Sequence, residues 1–253
     1  MKPILILIEG TDELRPVAAG LGASAVADVP GAFRTPAGSA TNAVVTVTGV
    51  GPERSYAAAV AAIDRFGPGF VVSAGTCGAL TGLMDCSDWL VTGTVRALGA
   101  ANGSGRPVIE TLESPAAAAV ERLAGALGAS PRRHAGRLVT VSKSPVVDAA
   151  EKAELAKAHD AVAVDMESSG IARAAVERNR PWLIARVVVD TPAIPLPELG
   201  AMNVETGRPP LGGIAKYVLR HPLHGPKTLY GLWRLVQDYA VHLVRVLPSI
   251  AEH

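Results

Sequence analysis

A chain of 253 residues is long enough to bury the core of one large α/β domain. Hydrophobic residues make up 49% of it and aromatics only 4%, a balance that suits Ala-rich helices packed on Val-rich strands. The net charge of +1, with no basic tract, argues against a nucleic-acid partner. Two cysteines, Cys77 and Cys86, lack metal-ligand spacing, so neither a disulfide scaffold nor a metal site is expected, and a reducing cytoplasm is the expected compartment.

Met1-Lys2-Pro3 leads straight into Ile4-Leu5-Ile6-Leu7-Ile8. That run is too short for a signal-peptide core or a membrane span and reads as a buried first strand over 3–9. Further strands are predicted over 43–48, 69–74, 88–97, 136–142, 161–164 and 182–189, and helices over 52–66, 114–127, 148–158 and 166–179. Pro52 is tolerated in a first helical turn, and Pro181 separates the helix over 166–179 from the next strand. This alternation predicts an α/β fold: a single domain with a mixed, mainly parallel central sheet covered by helices. Residues 191–212 are rich in Pro and Gly and read as a long loop, of the kind that serves as a lid or substrate loop. Helices over 213–220 and 226–247 follow, so 1–195 forms the predicted core and 196–253 a loop and C-terminal helical extension. Leu229, Leu232, Trp233, Val236, Tyr239, Ala240, Leu243 and Val244 recur at helical spacing. They suit packing or an oligomer contact; with Arg220, Lys227 and Arg234 beside them they also suit peripheral contact with lipid. No stretch is long and apolar enough to span a membrane.

Several predicted strands end in Gly or acidic residues: Glu9-Gly10, Gly49-Val50-Gly51, Gly75-Thr76-Cys77-Gly78 and Asp190. In open α/β sheets the ligand crevice lies beyond the carboxyl ends of the strands, so these positions are candidates for one site. Gly49-Val50-Gly51 before a helix resembles the start of a dinucleotide fingerprint. The third glycine is absent, which weakens a nicotinamide-dependent oxidoreductase reading. Gly75-Thr76-Cys77-Gly78 reads as a tight turn whose amides and Thr76 hydroxyl could face an anion.

The most specific stretch is Val164-Asp165-Met166-Glu167-Ser168-Ser169-Gly170, followed by Arg186-Val187-Val188-Val189-Asp190. Over roughly residues 3 to 195 the chain resembles the nucleoside phosphorylase and nucleosidase superfamily, in which a Met-Glu pair opens a helix and an Asp ends the next strand. Glu167 and Asp190 stand 23 positions apart, the spacing of the nucleosidase branch, and both glycine-rich segments match in order. Ala149-Ala150-Glu151-Lys152, Ala163-Val164-Asp165-Met166-Glu167-Ser168 and Leu219-Arg220-His221-Pro222 resemble the hopanoid-associated phosphorylases, which act on adenosylhopane.

The resemblance implies an enzyme that cleaves the N-glycosidic bond of an adenine nucleoside, and a homo-oligomer. A methylthioadenosine/S-adenosylhomocysteine-type nucleosidase and a non-catalytic nucleoside-binding protein are the alternatives. It implies Asp190 as the general acid for the departing base, although an Asp before Pro192 could equally open a loop. Glu167 would accept hydrogen bonds from the ribose hydroxyls and Met166 would pack on the sugar; alone, they suit a first-turn acid and a core Met. Cys77 and Gly78 fall at base-binding positions, and Gly51 and Thr76 at a phosphate or water site. Arg186 matches a family arginine, or pairs with a neighbouring carboxylate within the sheet. Where phosphorylases carry a phosphate-binding arginine before the second glycine segment this chain has Ser73, for which Arg54 could substitute. Nucleosidases activate water with a Glu after the first strand, the place of Glu13, beside Asp12 and Glu9. No cofactor is implied, with inorganic phosphate as a co-substrate only if the reaction is phosphorolysis.

Overall fold

The computed structural model describes residues 2–101, 107–128, 130–142, 145–197, 199, 203 and 208–250, with the side chains of 99–101, 107 and 108 left out of the description. In chain order the elements are β1 (Ile4–Ile8), α1 (Thr11–Gly20), β2 (Ser24–Ala25), β3 (Ala32–Arg34), β4 (Ala43–Val47), α2 (Pro52–Phe66) and β5 (Phe70–Ala79). β6 (Trp89–Thr92), β7 (Thr94–Ala101), β8 (Pro107–Glu113), α3 (Ala117–Leu127), β9 (Arg133–His134), β10 (Leu138–Thr140) and α4 (Ala149–His159) come next. The chain continues with β11 (Ala163–Asp165), α5 (Ser168–Glu177), β12 (Trp182–Asp190), α6 (Leu211–Arg220), α7 (Gly225–Val246) and a short 3₁₀ turn over Leu247–Ile250.

β1 lies between β4 and β5, parallel to both, and β5 in turn pairs parallel with β12. Every residue of β1 is buried, as expected of a parallel strand covered on both faces. The two-residue side-chain period sorts them. Ile4, Ile6 and Ile8 join one hydrophobic cluster with Leu14 and Val17 of α1, Leu123 of α3 and Tyr239, Ala240, Leu243 and Val246 of α7. Leu5 and Leu7 join the opposite cluster with Ala59, Ala62 and Ile63 of α2 and Ile171, Ala172, Ala174 and Ala175 of α5. The C-terminal helix therefore closes the same core as the first strand.

The sheet is mixed: parallel at its centre and antiparallel at β2–β3–β4, β7–β8, β6–β12 and β5–β11. The strand expected over 88–97 is two strands parted at Gly93, because β6 pairs with β12 while β7 pairs with β10. The segment expected to turn at Gly75-Thr76-Cys77-Gly78 is instead the second half of β5. It stays extended because β12 pairs with it from Trp182↔Val71 to Asp190↔Gly78, after which β11 takes over at Gly78 and Ala79. α1 was not legible as a helix, since Pro16 lies inside it and cannot donate to the helical ladder. Parts of the predicted 191–212 loop (198, 200–202 and 204–207) lie outside the described residues, and its end at Leu211 already belongs to α6. None of the described helices is long and apolar enough to cross a membrane.

α2 and α5 cross in very close contact. A Cβ on Gly170 would stand 2.1 Å from the Pro52 carbonyl oxygen and 2.4 Å from Ser55 Oγ. That approach brings the residue before α2, Gly51, against the residue before α5, Glu167. Gly170→Ala is expected to force the two helices apart and lower stability by about 1–3 kcal/mol. Urea unfolding of the variant measures this as a lower midpoint.

Candidate active site

Arg186 sits in the middle of β12 and is fully buried, so its charge has to be answered within the protein. Its Nε donates to Asp165 Oδ2 at 3.0 Å, and Nη2 lies 2.7 Å from the same oxygen. Nη2 also donates to Ser73 Oγ at 3.1 Å and to Ser168 Oγ at 3.0 Å. Asp165, ending β11, accepts further bonds from Thr140 Oγ1 at 2.8 Å and the Ser168 amide at 3.1 Å. Against the cost of burial, the carboxylates of Asp165, Glu167 and Glu9 keep the guanidinium firmly protonated. The pairing alternative for Arg186 is therefore what the structure contains. Ser73, which stands where phosphorylases carry an arginine, is occupied by this guanidinium.

The third nitrogen of the fork points elsewhere. Arg186 Nη1, Glu13 Oε2 and Tyr239 Oη are buried atoms with no hydrogen-bond partner among the described residues. All three lie around Gly75. A Cβ there would be 2.2 Å from Nη1 and 3.0 Å from Glu13 Oε2, and Tyr239 Oη approaches the Gly75 backbone without completing a hydrogen bond. The close approach of these polar groups is the reason position 75 holds a glycine.

Beside this focus stand two more carboxylates. Glu9, just beyond β1, accepts from Thr76 Oγ1 at 3.4 Å, and the Thr76 hydroxyl also faces Glu13. Glu167 accepts from the Gly51 amide at 3.0 Å and from the Met166 amide at 3.3 Å, while its own carbonyl accepts from Ser55 Oγ at 2.9 Å. Burial, and then the charge of Glu9, push the Glu13 and Glu167 carboxyls well above the ordinary Glu range; Arg186 opposes both shifts. The site thus gathers three crowded carboxyl groups from β1, α1 and the start of α5 around one guanidinium already held by a fourth.

Asp190 ends β12 and is buried, with Lys152 of α4, itself fully buried, in direct ion pair with Oδ2. Burial raises the Asp190 carboxyl and Lys152 pulls it back, with a net upward shift. Gly78, its partner in the ladder, leaves room for the carboxylate, since a Cβ would lie 2.7 Å from Asp190 Oδ1.

Of the sequence-predicted residues, Glu13, Gly51, Thr76, Met166, Glu167 and Asp190 come from separated segments to the carboxyl ends of β1, β4, β5, β11 and β12, and Arg186 reaches in from the middle of β12. Met166 is half-buried and, with Glu167, precedes α5 instead of lying inside it. The Cys77 thiol is packed in the apolar cluster and burial raises it, so any contact to a ligand at 77 falls to the backbone. The Gly51 amide is engaged by Glu167. Arg54 lies exposed on α2. Sequence reasoning missed Lys152, Glu9 as a working member of the cluster, Asp165 as the arginine's counter-ion, and Tyr239. Lys152 was visible only as part of a motif, and its partnership with Asp190, 38 positions away, has no local signal.

The fold finds parallels in known proteins. The structure superposes on the futalosine hydrolase of Helicobacter pylori strain 26695 with a TM-score of 0.72 at 15% identity, covering 99% of this chain and 97% of that one. It matches the 5′-methylthioadenosine/S-adenosylhomocysteine nucleosidase of Neisseria meningitidis, solved in complex with methylthio-immucillin-A, at 0.72 and 16% identity, covering 98% of each chain. The corresponding Helicobacter pylori nucleosidase, with butyl-thio-DADMe-Immucillin-A, gives 0.72 and 15%, covering 100% of this chain and 98% of that one. These likenesses show the fold. No curated protein sequence matches the chain. The family model described as the phosphorylase superfamily matches residues 3–205, and the chain accordingly belongs to that superfamily, as an enzyme of the nucleoside phosphorylase or nucleosidase type.

Proposed function

We propose that the chain hydrolyses the N-glycosidic bond of an adenine nucleoside, with water as the attacking group. The observation that carries this is the buried, unpartnered Glu13 Oε2 opposite the unpartnered Arg186 Nη1 across Gly75. A water between them would donate to the carboxylate and accept from the guanidinium. Inorganic phosphate would instead bring a further anion among the carboxyl groups of Glu9, Glu13 and Glu167, a like-charge arrangement with a large electrostatic cost. The likeness to a futalosine hydrolase and to methylthioadenosine/S-adenosylhomocysteine nucleosidases supports the same reading.

In this mechanism Glu13 takes a proton from water as the water oxygen bonds to C1′ of the sugar. The bond from C1′ to the base breaks, and Asp190 gives its proton to the departing purine. Glu167 keeps free lone pairs on both oxygens to accept from the vicinal ribose hydroxyls, and its charge favours the cationic sugar of the transition state. Upward-shifted carboxyls suit both proton transfers: an acid must hold its proton near neutral pH, and a base works best with a pKa near the operating pH. Adenosylhopane belongs among the substrates to test because of the resemblance at Ala149–Lys152 and Leu219–Pro222 to hopanoid-associated phosphorylases.

The deciding assay follows adenine release from methylthioadenosine and adenosylhopane, each with and without phosphate. Release at the same rate without phosphate is expected, yielding the free sugar. Strict dependence on phosphate, with a sugar phosphate as product, would overturn hydrolysis and leave Glu13 a structural or sugar-binding role. Asp190→Asn is expected to lower kcat by at least about a hundredfold with little change in substrate binding.

Two further outcomes follow from the electrostatics. Lys152 lowers the Asp190 carboxyl, so Lys152→Met should raise it further and move the alkaline limb of the kcat/KM profile to higher pH. For Glu13, a raised carboxyl contributes stability below about pH 4, where the unfolded chain also holds its proton, and loses it as pH rises through the folded-state value. Glu13→Gln removes that loss. Thermal melts should show the variant more stable than the parent at pH 8 and equal to it near pH 4, while its turnover falls.

A further inference from the structure

The near-neutral total charge conceals a local excess. Between Glu205 and Asp238 the sequence holds no acidic residue, yet it carries Arg208, Lys216, Arg220, Lys227 and Arg234 together with His221 and His224. This segment comprises α6 and the first half of α7. Among the described residues, six of the eleven large apolar side chains left exposed lie on these two helices and their connection, which makes a patch of them and not a scatter.

The exposure is organised. α6 buries none of its residues, and Leu211 (84% exposed) and Leu219 (79%) lie two turns apart on one stripe with Ala215 between them. Leu223, in the connection, is 78% exposed. On α7, Tyr230, Trp233 and Val241 follow one stripe, exposed by 58%, 54% and 59%, opposite the buried Tyr239, Leu243 and Val246. The Tyr230 and Trp233 rings stack with centroids 5.7 Å apart. Lys227 and Arg234 border this stripe, and Lys216 and Arg220 lie beside that of α6. Exposed Leu, a Tyr–Trp pair and flanking cations, of which Arg234 shares its charge with Asp238 at 3.8 Å while Lys216, Arg220 and Lys227 lie in a stretch without acids, are the side-chain set of a helix lying in a membrane interface.

We propose that α6 and the exposed face of α7 form a peripheral docking surface for anionic phospholipid membrane. Charge complementarity selects this occupant: the cationic segment is attracted to acidic headgroups, whereas two copies of it facing each other would repel. The surface is also coupled to the active site. Arg208, just before α6, donates through Nε to both carboxylate oxygens of Asp12, each at 2.9 Å, and Asp12 directly precedes Glu13 in the first turn of α1. α7 meanwhile supplies Tyr239 to the focus around Gly75. The proposal does not depend on which nucleoside is cleaved.

The test is co-sedimentation of the full chain with vesicles of phosphatidylcholine alone and of phosphatidylcholine containing about one third phosphatidylglycerol. Binding to the anionic vesicles only, released by high salt, is expected. Tyr230→Ala combined with Trp233→Ala, and Arg220→Glu combined with Lys227→Glu, should each reduce the bound fraction at least about tenfold, with thermal melts unchanged. No binding to either vesicle, equal binding to both, or binding unaltered in the two double variants would each overturn the proposal. So would a stable dimer in sedimentation that the charge variants dissociate, since the surface would then face a second copy.

Discussion

A guanidinium buried inside a strand cannot be left without partners, and the arrangement around Arg186 reads as the set of answers to that requirement. Asp165 accepts the Nε–H and lies in ion-pair contact with Nη2, and Ser73 and Ser168 accept from Nη2. These three residues come from β11, β5 and α5, so one side chain fixes the mutual position of the strand ends that build the site. Nη1 then occupies the space a side chain at 75 would need, which makes Gly75 a steric necessity and brings the guanidinium within reach of Glu13. Arg186 is in this sense a positioning residue first, with one donor left over.

That leftover donor sits among acids. Glu9, Glu13 and Glu167 crowd where the carboxyl ends of β1, β11 and β12 converge, and burial makes the crowding unfavourable for folding. Such strain is what a site carries when it must favour a positive charge that exists only in the transition state. Asp190 is treated differently: its Oδ2 meets the buried Lys152 ammonium, and burial still leaves its carboxyl shifted upward. Two carboxyl chemistries, a crowded anionic cluster and a cation-paired acid, thus coexist on neighbouring strand ends.

The C-terminal helix joins these arguments to the surface. One face of α7 completes the core over β1, with Tyr239 stacked on Trp89 at 5.0 Å between ring centroids. The other face is apolar, aromatic and exposed, bordered by cations. One helix therefore has an inward role set by packing and an outward role set by charge, and Arg208 carries the connection back to α1 through Asp12.

Much of this was legible in the sequence, for local reasons. Ile4–Ile8 could only be a buried strand, and the Ala-rich runs before Pro181 and after Pro52 could only be helices, because propensity, periodicity and proline placement agree there. Met166-Glu167 and Arg186…Asp190 marked the site because a resemblance preserves order along the chain. What the sequence could not determine depends on residues far apart in it. Gly75-Thr76-Cys77-Gly78 looks like a turn in isolation and is a strand because β12 pairs with it; α1 forms despite Pro16 because Leu14 and Val17 bury against β1. Lys152 meets Asp190, Tyr239 meets Gly75, and Arg186 selects Asp165 only once the sheet is assembled. The sequence by itself determined the locally patterned strands and helices, such as Ile4–Ile8 and Pro52–Phe66, and the resemblance marked Glu13, Glu167 and Asp190. The tertiary structure alone decided which charges face one another and which remain unanswered, because burial and distance, the quantities that govern electrostatics, exist only in the folded chain.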